Sequence, residues 1–123
     1  MARTILIVDD SQTVRQQVSN ALQGAGFDVV EAADGQEGLE QLAAHADVAA
    51  VICDVNMPRM NGLELVEAMK GRTATVPVVM LTTEGQAELI QRARAAGARG
   101  WIVKPFKPDL LVAAVRKLTA AVP

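Results

Sequence analysis

Four short aliphatic runs in this sequence end in residues able to do chemistry. Ile5-Leu6-Ile7-Val8 ends in Asp9 and Asp10, and Val48 to Cys53 ends in Asp54. Val76 to Leu81, interrupted by Pro77, ends in Thr82 and Thr83, and Trp101-Ile102-Val103 ends in Lys104. Carboxylates held ~5 Å apart at an effective dielectric of ~20 repel by roughly 3 kcal/mol per pair. Three of them in one small space must protonate, bind a cation, or both. Formal charge returns to zero with one divalent cation and Lys104. Hard oxygen donors without histidine or cysteine favour Mg²⁺ over zinc. Bound Mg²⁺ commonly bridges carboxylates to a phosphoryl oxygen, and a carboxylate can be a covalent nucleophile toward phosphorus. The constellation therefore points to phosphoryl chemistry.

Each part alone has a plainer reading. An aspartate after a strand is most often a cap or turn residue. Thr82 alone reads as a cap and Lys104 alone as a solvated cation. The joint placement at four run ends changes that balance. Cys53 reads as a small core residue, and His45 as solvated. Met69 and Met80 read as core, Met57 and Met60 as loop residues, and Gly62 and Gly97 as turn and cap residues.

The elements that must position these groups alternate. Continuous aliphatic runs read as strands buried on both faces, the mark of a parallel sheet. The run Phe27 to Ala32 is more polar and suits an edge. Helical patterns lie between the runs. After Ser11, apolar residues recur at Val14, Val18, Leu22 and Ala25, with Gly24 and Gly26 as stops. Asp34 with Glu37, and Asn61 with Glu64, read as capping boxes. Thr83 and Gln86 open a weak fourth helix with the face Ala87, Ile90 and Ala93. Lys107-Pro108 opens a fifth, with a wide face of Leu110, Leu111, Ala114, Val115 and Leu118. Residues from Thr119 to Pro123 read as a frayed tail. Five β-α units give an α/β chain with right-handed crossovers and helices on both faces.

Length and composition agree. At 123 residues, half of them hydrophobic, the chain suits one domain spanning 1–123. A net charge of −2 gives no sign of a nucleic-acid surface. One cysteine excludes a disulfide framework. Early aspartates interrupt any signal-peptide core, and no run approaches the ~20 residues of a membrane span. The expectation is a soluble cytoplasmic protein with an aliphatic core, since tyrosine is absent.

Asp9-Asp10, then Asp54 in the stretch Asp54-Val55-Asn56-Met57-Pro58-Arg59-Met60-Asn61-Gly62, then Thr82, then Lys104-Pro105-Phe106, resemble a response-regulator receiver domain. The likeness runs from about residue 4 to about residue 120 and is nearest to stand-alone CheY-type chemotaxis regulators. It implies a doubly wound, flavodoxin-like (βα)5 fold with strand order 2-1-3-4-5. It implies that Asp54 accepts a phosphoryl group from the phosphohistidine of a histidine kinase (CheA-like) or a phosphotransfer protein. Asp10 would ligate Mg²⁺ directly, Asp9 would hold a metal-bound water, and Asn56 would ligate through its carbonyl. Lys104 would pair with phosphoryl oxygens, Thr82 would hydrogen-bond them, and the Lys104-Pro105 peptide would be cis.

The resemblance also couples Thr82 to Trp101, where tyrosine or phenylalanine is commoner. It makes the fourth helix, fifth strand and fifth helix an output face for a downstream protein. Asn56 and Glu84 stand where the family tunes the phosphoryl lifetime, and imply a group lasting seconds to minutes. The protein would be a monomer or transient dimer, a signalling switch rather than a turnover enzyme. A domain cut from a longer regulator and a phosphorelay intermediate stay open as alternatives. A flavodoxin-like electron carrier fits poorly, because the loop after Asp9 is anionic and tyrosine is lacking. A phosphatase with a second aspartate two residues on would need an acid where Asn56 stands. A receiver serving only as a binding module leaves the complete acidic and cationic set without a purpose.

Overall fold

Five parallel strands alternate with five helices in the computed structural model, which describes residues 3–57, 59–69, 76–83 and 87–120. The strands are β1 (Thr4–Val8), β2 (Asp28–Ala32), β3 (Val48–Cys53), β4 (Val78–Thr82) and β5 (Gly100–Val103). The helices are α1 (Gln12–Gly24), α2 (Gly35–Ala44), α3 (Gly62–Met69), α4 (Ala87–Ala96) and α5 (Pro108–Ala120). The sheet order is β2-β1-β3-β4-β5. This is the doubly wound fold with the polar strand β2 at one edge and the short strand β5 at the other.

Alternation along the central strands divides the core in two. Ile5, Ile7, Ala50, Ile52 and Leu81 face Val18 and Leu22 of α1 and Leu111 and Val115 of α5. Leu6, Val8, Val51, Cys53 and Met80 face α2, α3 and α4 through Leu42, Leu65, Met69 and Ala93. Both faces are covered, which is why these strands are aliphatic throughout. Among the described residues no helix is long and apolar enough to cross a membrane.

Local chemistry sets the helix starts. The Ser11 hydroxyl accepts from the Val14 N–H at 3.3 Å, and Asp34 accepts from the Glu37 N–H at 2.9 Å. Asn61 and Glu64 cap reciprocally: each side chain accepts from the other's backbone N–H, at 2.9 and 3.0 Å. At the end of α1, Gly26 turns the chain with φ 95°.

Several expectations need correction. Strand β4 begins at Val78, one residue past Pro77, which has no N–H to give a ladder. Leu110 is 62% exposed, and Ala87 is exposed as well. The buried stripe of α5 is Leu111, Val115 and Thr119, at strict four-residue spacing. Thr119 is no frayed tail: its hydroxyl donates to the Val115 carbonyl at 2.9 Å inside α5. Met57 and Met60 are loop residues, as expected, and are half-buried against the α2–α4 side of the core. The proposed start at Gln86 lies outside the described residues.

Candidate functional site

The carboxyl ends of β1, β3, β4 and β5 meet at one rim, where an open parallel sheet collects its polar groups. Asp9 and Asp10 follow β1, Asp54 follows β3, Thr82 closes β4 and Lys104 follows β5. Carboxylate oxygens of Asp9, Asp10 and Asp54 lie within 4.8 Å of one another. Asp9 and Asp54 are buried, and Asp10 is exposed.

Lys104 reaches across β3 and β4 to this cluster. Its Nζ donates to Asp9 Oδ2 at 2.8 Å and to Asp54 Oδ2 at 3.2 Å. The backbone holds the acids in place. Ser11 N–H donates to Asp9 Oδ1 at 2.9 Å, and Val55 N–H donates to Asp54 Oδ1 at 2.7 Å. The Lys104 N–H donates to the Thr82 carbonyl at 2.8 Å, and the Lys104-Pro105 peptide is cis.

The electrostatics follow from burial and crowding. Burial pushes the Asp9 carboxyl above its ordinary value. The Lys104 bond and the Ser11 N–H pull it back, the Asp54 charge adds to the rise, and the net is upward. Burial alone would lower the Lys104 ammonium, yet its bonds to Asp9 and the charges of Asp9 and Asp54 outweigh that, so its pKa rises. Burial likewise lifts the Cys53 thiol well above its usual range. One ammonium offsets only one of the three carboxylates. The remaining negative charge, held by oxygen donors alone, suits a small hard divalent cation.

The other residues predicted from the sequence occupy different layers. Asn56 is exposed on the loop two residues beyond Asp54. Thr82 is fully buried, and strand alternation puts it on the side of Met80. Trp101 pairs in register with Met80, is half-buried, and packs against the same side. Thr82 and Trp101 thus share the α2–α4 side, while alternation from Ile52 turns Asp54 toward α1 and α5. Glu84 lies outside the described residues. A groove of about 800 Å³ beside Lys104 is lined by Val14, Gln17, Ala21, Thr83 and Phe106 among others.

Three features of the rim were not singled out from sequence. Arg15 on α1 donates to the Asp9 carbonyl and, at 3.2 Å, to Glu31 on β2. Arg59 makes a two-pronged ion pair with Asp34. Gly62 does more than turn the chain, because a Cβ there would lie 2.0 Å from the Asp54 carbonyl oxygen. Its N–H donates to the Val55 carbonyl at 2.8 Å, so α3 starts hard against the end of β3. Only the Gly62 signal was readable in advance, as a glycine inside a capping box.

Known proteins resemble this chain in sequence and fold. The pattern of the response regulator receiver domain matches residues 5–116. The chain is 44% identical over 110 residues to the chemotaxis protein CheY1 of Helicobacter pylori, covering 87% of this chain and 89% of that protein. It is 43% identical over 110 residues to a chemotaxis protein CheY homolog of Campylobacter jejuni, covering 87% and 85%. The structure of Vibrio cholerae chemotaxis protein CheY4 superposes with a TM-score of 0.90 at 42% identity, over 96% of this chain and 99% of that one. A Borrelia burgdorferi CheX-CheY-BeF3-Mg complex superposes with a TM-score of 0.90 at 27% identity, over 94% and 88%. With this sheet order, this acidic rim and these likenesses, the chain belongs to the response regulator receiver domain family, among its CheY-like members.

Proposed function

We propose that this protein is the phospho-accepting switch of a two-component system, taking a phosphoryl group onto Asp54 and passing the signal on by binding a partner. Its CheY relatives make chemotaxis or motility the pathway of choice. The observation that carries the reading is the cluster of Asp9, Asp10 and Asp54 oxygens within 4.8 Å, with the Lys104 ammonium against two of them.

The residues divide the work. A carboxylate oxygen of Asp54 attacks the phosphorus of a phosphohistidine or a small phosphodonor. The new O–P bond forms as the bond to the leaving nitrogen or oxygen breaks, and the leaving group departs with that electron pair. Val55 N–H fixes Asp54 Oδ1, so the attacking oxygen is Oδ2, the one that Lys104 contacts at 3.2 Å. Lys104 lies where it can follow the negative charge from carboxylate to phosphoryl oxygens. Mg²⁺, held by Asp10, Asp54, the Asn56 carbonyl and Asp9 directly or through water, would supply further charge neutralisation at those oxygens. The groove beside Lys104 gives a donor side chain an approach from the α1–α5 side.

The readout is conformational. The phosphoryl group carries more negative charge than the carboxylate it replaces. Thr82 ends the strand next to β3, and Trp101 lies on its side of the sheet. A hydroxyl drawn toward the new acceptor changes the packing that Trp101 and α4 share. Val103 and Leu110, 48% and 62% exposed, give the β5–α5 face apolar surface for a partner.

The test is incubation with Mg²⁺ and acetyl phosphate, followed by intact mass. The wild type should gain one phosphate, chelator should prevent the gain, and Asp54→Asn should show none. Equal labelling of Asp54→Asn would overturn the acceptor assignment.

A further inference from the structure

The loop from β3 to α3 is tied by residues outside the acidic cluster. Arg59 Nε donates to Asp34 Oδ2 at 2.8 Å, and Arg59 Nη2 donates to Asp34 Oδ1 at 3.2 Å. Next to this pair, the Gly35 N–H donates to the Met60 carbonyl at 3.0 Å. The two segments meet so closely that a Cβ on Gly35 would lie 2.7 Å from Met60 Cγ. Asp34 is buried and also caps α2, whereas the Arg59 side chain is 59% exposed.

Arg59 takes an unusual backbone conformation to do this. Its φ is 63°, a region that side chains other than asparagine, aspartate and histidine seldom adopt. A long, solvent-facing side chain gives up much freedom on being fixed at both prongs. The same loop begins at Asp54 and carries Asn56, and its far end is the Gly62 contact with the Asp54 and Val55 carbonyls. The tether therefore bears on the loop's backbone from outside the cation pocket.

We propose that the Asp34–Arg59 ion pair is a positioning device that holds the β3–α3 loop in the shape able to receive a divalent cation beside Asp54. The proposal rests on the reading of the acidic cluster as a cation site. It predicts a sign that simple charge does not. Removing a nearby positive charge would by itself strengthen cation binding, whereas loosening the loop weakens it.

Calorimetric titration of Mg²⁺ into the wild type, Arg59→Asn, Asp34→Asn, the double variant and Arg59→Lys tests this. Asparagine tolerates positive φ at 59 and still caps α2 at 34, so both variants keep the local fold. Each single variant should weaken Mg²⁺ binding about two- to fivefold, the range an ion pair with one solvent-facing partner can supply. The double variant should be no weaker than the poorer single one, and Arg59→Lys should recover part of the loss. Hydrogen exchange at the amides of Val55 and Met57 should quicken in the same variants. Unchanged or tighter Mg²⁺ binding by Arg59→Asn, with a wild type that binds normally, overturns the positioning role. A wild type that takes up no Mg²⁺ instead overturns the cation-site reading, and this inference with it.

Discussion

Replacing Gly62 by alanine should break the contact between α3 and the end of β3. The added Cβ would meet the Asp54 carbonyl oxygen at 2.0 Å, the Asp54 carbonyl carbon at 2.9 Å and Met80 Cε at 2.8 Å. Met80 has a flexible end and can move, but the Asp54 carbonyl belongs to the backbone of the acidic cluster. The helix start must therefore back away, stretching the Gly62–Val55 hydrogen bond. Overpacking of this kind costs ~1–3 kcal/mol, and a weakened hydrogen bond adds about 1 kcal/mol. Alanine's helix preference returns at most ~1 kcal/mol. The net is roughly 1–3 kcal/mol, and the backbone clash puts it toward the upper end, at about 2–3 kcal/mol. With an unfolding entropy of ~2.1 cal/mol/K per residue over 123 residues, Tm should fall by roughly 8–12 °C. Gly24→Ala is the control, since nothing lies within 4 Å of its Cβ position. It should leave Tm unchanged or raise it by up to about 4 °C. Circular dichroism melts of the two variants decide the matter. A Gly62→Ala protein that melts within about 3 °C of wild type would refute the close-approach argument.

Asp9→Asn should stabilise the cation-free protein at neutral pH, because a carboxyl with a raised pKa is ionised there against the preference of its buried site. The advantage should shrink as pH falls toward the ordinary value of 3.8, and urea melts across that range check it. Asp34 behaves oppositely: Arg59 holds its carboxyl below 3.8, so its stabilisation is complete above that value and is lost as pH falls through its lower folded pKa. The stability gap between wild type and Asp34→Asn should accordingly close in acid. Lys104→Met should tighten Mg²⁺ binding severalfold while slowing acetyl phosphate labelling of Asp54, since the cluster loses its resident cation and the phosphoryl oxygens lose theirs. Weaker Mg²⁺ binding by Lys104→Met would show that Lys104 shapes the cluster rather than competing for it.

Local signals were the readable ones. The capping boxes Asp34/Glu37 and Asn61/Glu64 announce their helices because donor and acceptor lie three residues apart. The rim was readable because a strand buried on both faces has no use for a charge until it ends, so Asp54 marks the end of β3, while Lys104 stands where the short aliphatic run of β5 stops. The Arg59–Asp34 pair could not be read, since its partners are 25 residues apart and nothing in the composition announces a positive φ at an arginine. Leu110 was misplaced for a related reason. Periodicity shows that a helix has an apolar face, but the neighbouring elements decide how wide a stripe is covered. On α5 the covered stripe is Leu111, Val115 and Thr119. Thr82 was placed at the rim correctly, but whether its side chain lies above or below the sheet depends on strand parity at Met80, which the sequence leaves open by one residue.

Cys53 is the single cysteine of the chain, wholly enclosed at the end of β3, with its S–H donating to the Asp54 carbonyl at 3.1 Å. A thiol reagent gains access to that sulfur only when the central strand comes away from its neighbours. Its labelling rate in slow-reagent conditions therefore reports the population of opened molecules. Any ligand gripping Asp54 must suppress that opening in proportion to its occupancy. The protein thus carries, one residue from the Asp54 carboxylate, a chemical gauge of how firmly that carboxylate is held.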